Sequence, residues 1–95
     1  MKKTKEEQEW LDKIQNFGCV ICQRTFRAFS PAEIHYIEGK EAIGSHFFTI
    51  PLCYAHHSAG EDNELFTSIH PHKKKFEKRY GSEYDLLNYL RIEID

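Results

Sequence analysis

The sequence predicts a small α+β fold, with two short strands and a helix at the centre and further helices on either side. Three observations carry that expectation. Apolar residues recur at helical spacing near the start, as Trp10, Leu11, Ile14 and Phe17. The middle holds two short β-type runs, Ala32 to Ile37 and Phe47 to Ile50, set apart by turn-forming residues. Three cysteines and a histidine fall into two pairs, Cys19-x-x-Cys22 and Cys53-x-x-His56, a spacing that lets two knuckles clasp one zinc ion.

Taken in order, Thr4-Lys5-Glu6-Glu7 has the form of a capping box that starts the first helix, and Gly18 stops it. Residues 19–32 begin with the Cys19–Cys22 knuckle and continue as a turn-prone stretch ending at Ser30-Pro31. Ala32 to Ile37 forms the first strand, with Ile34 and Tyr36 on one face and Glu33, His35 and Ile37 on the other. A Gly-containing loop covers 38–45, and Phe47 to Ile50 forms the second strand. Pro51 suits the first turn of a helix carrying Leu52, Cys53, His56 and His57. A polar loop over 58–68 leads to a helix opened by His70-Pro71 and ended by Gly81. Ser82 then caps a last helix, with Tyr84, Leu87 and Leu90 or Ile94 facing inward. The expected organisation is one domain over 1–95: an N-terminal helix (1–18), zinc knuckles and a ββα core (19–57), and a loop with C-terminal helices (58–95).

Ninety-five residues exclude a two-domain enzyme with a dinucleotide fold. A chain of this size buries only about 60–65% of its unfolded surface, so its core needs outside help. Three cysteines cannot all pair as disulfides, but with His56 they complete a tetrahedral zinc set. The alternative is a pair of buried free thiols and an unrelated cysteine. The apolar runs are too short to span a membrane and MKKTKEEQEW has no apolar signal region, so a cytoplasmic location is expected. The net charge of −2 conceals a basic segment, where Lys73, Lys74, Lys75, Lys78 and Arg79 face only Glu77.

His57 cannot easily share the ion of His56, because adjacent helical residues point about 100° apart. If the ββα unit folds back on itself, His57 turns toward His35, and two histidines from different elements would form a second, open metal site. Against that stands the plainer reading of both as polar surface residues.

The segments CVIC (19–22), EIHYIEG (33–39), FFTIPLCYAHH (47–57) and IHPHKKKFEKRYGSEYDLL (69–87) resemble the HNH (ββα-metal, His-Me finger) nucleases. More narrowly they resemble the Ref-like branch, the phage and prophage recombination-enhancement, RecA-dependent nucleases. The resemblance runs from about residue 19 to residue 87 and implies a ββα-metal (HNH) core. It implies structural Zn2+ at Cys19, Cys22, Cys53 and His56, and a catalytic Mg2+ or another divalent cation held by His35 and His57. Where such nucleases commonly carry His-His, with the second member as general base, this chain has His35-Tyr36, and His46 stands where an acidic residue is usual. The base is therefore Tyr36, whose ordinary pKa of about 10 would have to be depressed, or else His35 or His46. His70 matches the family's IH motif and either binds the metal or hydrogen-bonds the scissile phosphate, while His72 is expected to meet solvent or phosphate.

Lys73, Lys74, Lys75, Lys78 and Arg79 surround the core-facing Phe76 and Tyr80 and are either a solvated face or a sequence-tolerant track for the DNA backbone. The function implied is a metal-dependent endonuclease acting on DNA phosphodiester bonds in the host cytoplasm, with DNA and a recombination protein as partners, and neither membrane nor small-molecule cofactor. Two alternatives belong to another class. One is a catalytically inactive zinc-stabilised HNH fold that binds DNA or protein. The other is a zinc-ribbon interaction module with one metal per chain.

Overall fold

A computed structural model describes residues 3–42 and 44–94. The element order is α1 (Lys5–Phe17), α2 (Val20–Phe26), β1 (Glu33–Tyr36), a 3-10 turn (Ser45–Phe47), β2 (Thr49–Leu52), α3 (Tyr54–His57), α4 (Ile69–Tyr80) and α5 (Glu83–Ile94). The α+β fold is as expected, with a two-stranded antiparallel sheet flanked by helices. Thr4 caps α1 with a reciprocal box, its hydroxyl accepting from the Glu7 amide at 3.1 Å while Glu7 accepts from the Thr4 amide at 2.8 Å. Gly18 ends α1 at φ +84°, where a Cβ would meet the Phe29 ring and the Ser30 carbonyl at 2.8 Å. Only glycine fits that corner.

In place of the turn-prone stretch, the first knuckle runs into a helix of its own, α2. Cys19 is its N-cap, its sulfur accepting from the Cys22 amide at 3.4 Å, so a candidate metal ligand also starts the helix. The helix stops at Arg27, which adopts the left-handed conformation at φ 52°.

The second strand lies two residues later than the sequence suggests. Pro51 is not in a helical first turn. It sits in β2 opposite Ile34, and Leu52 pairs with Glu33. In a two-stranded sheet both strands are edges, where a missing N–H is tolerated. Burial of Thr49, Ile50 and Leu52 decides in favour of the strand. Cys53 is then extended, at φ −68° and ψ 166°, and caps the single turn of α3. The hairpin brings α3 back beside β1.

Helix α4 likewise starts less regularly than expected. His70 (φ −108°, ψ 115°) and His72 (φ −97°, ψ 47°) are non-helical. The residue before a proline is pushed out of the α region, so His70 leans away from the helix axis rather than forming its first turn. Ser82 caps α5 as expected, its hydroxyl accepting from the Asp85 amide at 3.1 Å. Leu87 and Leu90 face inward with Leu86, whereas Tyr84 is exposed and donates to Glu38, contrary to expectation.

The core joins Ile21, Ile50, Leu52, Ile69, Phe76, Leu86, Leu87 and Leu90 to Cys19 and Cys22. Helices α1 and α5 pack on β2, and the Trp10 indole donates to the Thr49 hydroxyl at 3.0 Å. The face of the sheet carrying His35 is left to α3 and to the starts of α4 and α5.

Candidate metal centres

Cys19 and Cys22 from the first knuckle meet Cys53 and His56 from the second inside the core. His56 Nδ1 lies 3.5 Å from Cys19 Sγ, 3.7 Å from Cys22 Sγ and 3.2 Å from Cys53 Sγ, and the last two sulfurs are 3.7 Å apart. A tetrahedral zinc with Zn–S about 2.3 Å and Zn–N about 2.0–2.1 Å has donor–donor edges of roughly 3.5–3.8 Å, so this Cys3His group could hold zinc. The ring's other nitrogen, Nε2, is buried without a hydrogen-bond partner among the described residues, between Phe66 and Tyr80 with ring centroids at 5.0 and 5.3 Å. The Cys19 thiol, helped by His56, pushes Cys53 well below the ordinary thiol range, while Cys19 itself is pushed up by its bond to Cys53 and by burial. A thiolate at Cys53 beside an imidazole is chemistry that suits a cation.

The second cluster is made by three histidines from three elements: His35 of β1, His57 of α3 and His70 at the start of α4. Their ring centroids stand 5.2 to 5.4 Å apart, and one ligand atom from each lies within 4.8 Å of the others. His35 is buried, His57 half-buried and His70 exposed, so the cluster opens to solvent on one side.

The outer nitrogens are held by carboxylates. Glu83 Oε2 is 2.6 Å from His35 Nε2, and Glu33 Oε1 is 2.7 Å from His57 Nδ1. Glu83 is buried. Burial pushes its carboxyl up, but the bonds from His35 and from Lys73, 3.2 Å from Oε1, outweigh that and hold it below its usual range. Partial desolvation, then the charges of His35 and His57, lowers His70 from the ordinary histidine value. Imidazoles backed by carboxylates on their far sides, as His35 and His57 are, are the arrangement found around protein metal ions.

A family model described as recombination enhancement, RecA-dependent nuclease matches residues 3–94. The chain belongs to that family. Neither the curated proteins nor the solved structures compared with it yield a match.

Within this member of the RecA-dependent nuclease family, the structure brings His35, His57 and His70 together and does not bring Tyr36 to them. Strand alternation sends Tyr36 to the opposite face from His35, where its hydroxyl meets His46 Nδ1 at 3.0 Å. Burial and the nearby Glu7 push the Tyr36 phenol up, away from the depressed value a base would need. His46 lies in the 3-10 turn rather than on the second strand, and it too is on the Tyr36 side.

The basic helix of this nuclease-family chain is largely committed. Lys73 pairs with Glu83, and Lys75 with Asp62 at 2.9 Å. Arg79 donates to the carbonyls of Asn63 and Glu64 and to the Thr67 hydroxyl, fastening the loop before α4. Lys74 and Lys78 make no ion pair among the described residues. Sequence reasoning missed Glu83 and Glu33. Nothing marks Glu83 beforehand, since it reads as an ordinary acidic residue in a first helical turn, 48 residues from its partner His35. Glu33 had a weak signal, lying on the same strand face as His35. Among the described residues no helix is long and apolar enough to cross a membrane.

Proposed function

We propose that the chain is a metal-dependent endonuclease of the HNH type, hydrolysing DNA phosphodiester bonds. The observation that carries this reading is the histidine cluster: His35 Nδ1 faces His57 Nε2 at 3.3 Å, with both outer nitrogens tied to carboxylates. His35 and His57 would hold the divalent cation. An ionic partner at that point supplies positive charge where a phosphate oxygen becomes more negative during cleavage. Imidazole donors suit Mn2+, Zn2+, Co2+ or Ni2+ better than Mg2+, which prefers oxygen.

His70 has no hydrogen-bond partner among the described residues, sits at the open edge and is held in its neutral form. We assign it to accept the proton of the attacking water, the role that the resemblance left open between Tyr36, His35 and His46. A neutral imidazole within hydrogen-bond reach of that water suffices for general-base catalysis at neutral pH. Lys73 lies close enough to His70 to act on its charge, and Lys74 and Lys78 extend outward from it on α4. Lys74 and Lys78 would meet the backbone phosphates without reading bases, Lys73 being engaged by Glu83.

RecA dependence, carried by the family's description, makes DNA bound by that recombinase the natural substrate. The test is nicking of supercoiled plasmid, with and without RecA and across divalent ions. Loss of nicking in His57→Ala, with the Cys3His zinc retained, supports the reading; nicking that persists overturns it. A second reading, a zinc-stabilised HNH fold that binds DNA or protein without cutting, is favoured by Tyr36 turning away from the cluster. Under it the wild type shows no nicking whichever divalent ion is supplied.

A further inference from the structure

Resting on the reading that His35 and His57 hold a divalent cation, we propose that Glu83 is a positioning residue: it fixes the His35 proton on Nε2, so that the lone pair of Nδ1 faces His57 and the cation. Glu83 stands in the first turn of α5 and is 5% exposed. A carboxylate there normally lies in solvent, where it favours the helix N-terminus. Here it points inward, with one oxygen 2.6 Å from His35 Nε2 and the other 3.2 Å from Lys73 Nζ.

An ionised carboxylate can only accept, so the hydrogen in the short contact belongs to the imidazole. A neutral imidazole carries one proton, which leaves Nδ1 bare. Glu33 does the same to the other ring from the opposite end, since its bond to His57 Nδ1 leaves Nε2 bare. Two bare nitrogens then face each other at 3.3 Å. Neutral rings in these tautomers cannot hydrogen-bond across that gap; a cation between them resolves it. Lys73 completes the arrangement by neutralising the buried carboxylate, and it links α4, which carries His70 at its start, to α5. Because Leu86, Leu87 and Leu90 lock α5 into the core, the orientation of His35 is set by a helix remote in sequence from its strand.

The experiment uses the full chain loaded with zinc at the cysteine cluster, labelled with 15N, at a pH where the histidines are neutral. Long-range proton–nitrogen spectra assign each imidazole tautomer, and calorimetry with Mn2+ or Ni2+ measures the second cation. The wild type is expected to show His35 protonated at Nε2. Glu83→Gln, whose amide can also donate, is expected to let the Nδ1–H form appear and to weaken the second cation about 10–100-fold, with zinc content unchanged. Lys73→Met is expected to keep the wild-type tautomer. Unchanged tautomer and unchanged affinity in Glu83→Gln would overturn the assignment. Should that variant fail to fold, an Nδ1–H tautomer of His35 in the wild type overturns it equally. A wild type with the Nε2–H tautomer but no second cation upholds the hold of Glu83 on His35 while removing the metal reading, so the two failures are separable.

Discussion

Replacing Cys22 by serine, or withdrawing the metal with a strong chelator, should cost this protein most of its stability. Three donors of the Cys3His group, Cys19, Cys22 and His56, are buried, the two cysteines in the same cluster as Ile50, Leu52 and Phe76, and Cys53 packs against that cluster. A domain of 95 residues has a total unfolding free energy of about 5–14 kcal/mol. A structural zinc contributes about 10–16 kcal/mol in small metal-dependent domains, and even half of that here removes most of the total. The loss is not offset by new contacts, since Cys19 and His56 would remain fully buried with the bonds to the ion unreplaced. For a domain this size each kcal/mol moves Tm by about 4–8 °C, so a loss of about 5 kcal/mol is a drop of about 20–40 °C. Far-ultraviolet circular dichroism melts, with zinc release followed by a colorimetric chelator, measure this. A chelated protein that melts cooperatively within about 5 °C of the zinc-loaded one would refute the staple.

Other outcomes follow from individual contacts. Tyr36→Phe should leave plasmid nicking within about threefold of wild type, because its hydroxyl serves His46; its loss costs a single hydrogen bond, about 0.5–1.5 kcal/mol, read as a shift of a few degrees in Tm. The pH dependence of cleavage tests His70. Its folded pKa lies below the ordinary histidine value of about 6.5, a base must be unprotonated, and so the rate should be level near neutrality and fall only as the pH drops below about 6.5. His70→Ala should remove that acidic limb and lower the rate about 10²–10⁴-fold. Lys74→Ala and Lys78→Ala should each weaken DNA binding and reduce its salt slope by about one without affecting Tm. Arg79→Ala should do the reverse, loosening the 62–67 loop at a cost of about 1–3 kcal/mol to stability in a melt, with little change in salt dependence.

The parts of the fold that rest on local pattern were legible beforehand. The capping box at Thr4, the stop at Gly18 and the divergence of His56 from His57 each follow from a few adjacent residues, and the zinc set follows from spacing. Where long-range packing decides, local signals misled. Pro51 favours a helix start in isolation, but the pairing of β2 with β1 and the burial of Ile50 and Leu52 place it in an edge strand. The α2 helix was hidden because a knuckle and a helix N-cap share Cys19. In the site, His35 and His57 could be brought together by imagining the hairpin closed. The outward turn of Tyr36 follows from the same alternation that points His35 inward, so that signal was present in the sequence. Glu83 could not be found that way, because its contact with His35 exists only through the docking of α5.

The central claim is that His35 and His57 hold a second cation, with His70 beside it as the base, in a site that serves phosphodiester cleavage and is distinct from the Cys3His group. It is tested most directly by plasmid nicking across divalent ions with wild type and His57→Ala, with the metal content of both measured by elemental analysis. The account requires one tightly held zinc in each protein, cation-dependent nicking in the wild type, and loss of nicking together with the second cation in His57→Ala. Equal nicking by both proteins, or a second cation bound as tightly by the variant, would contradict it.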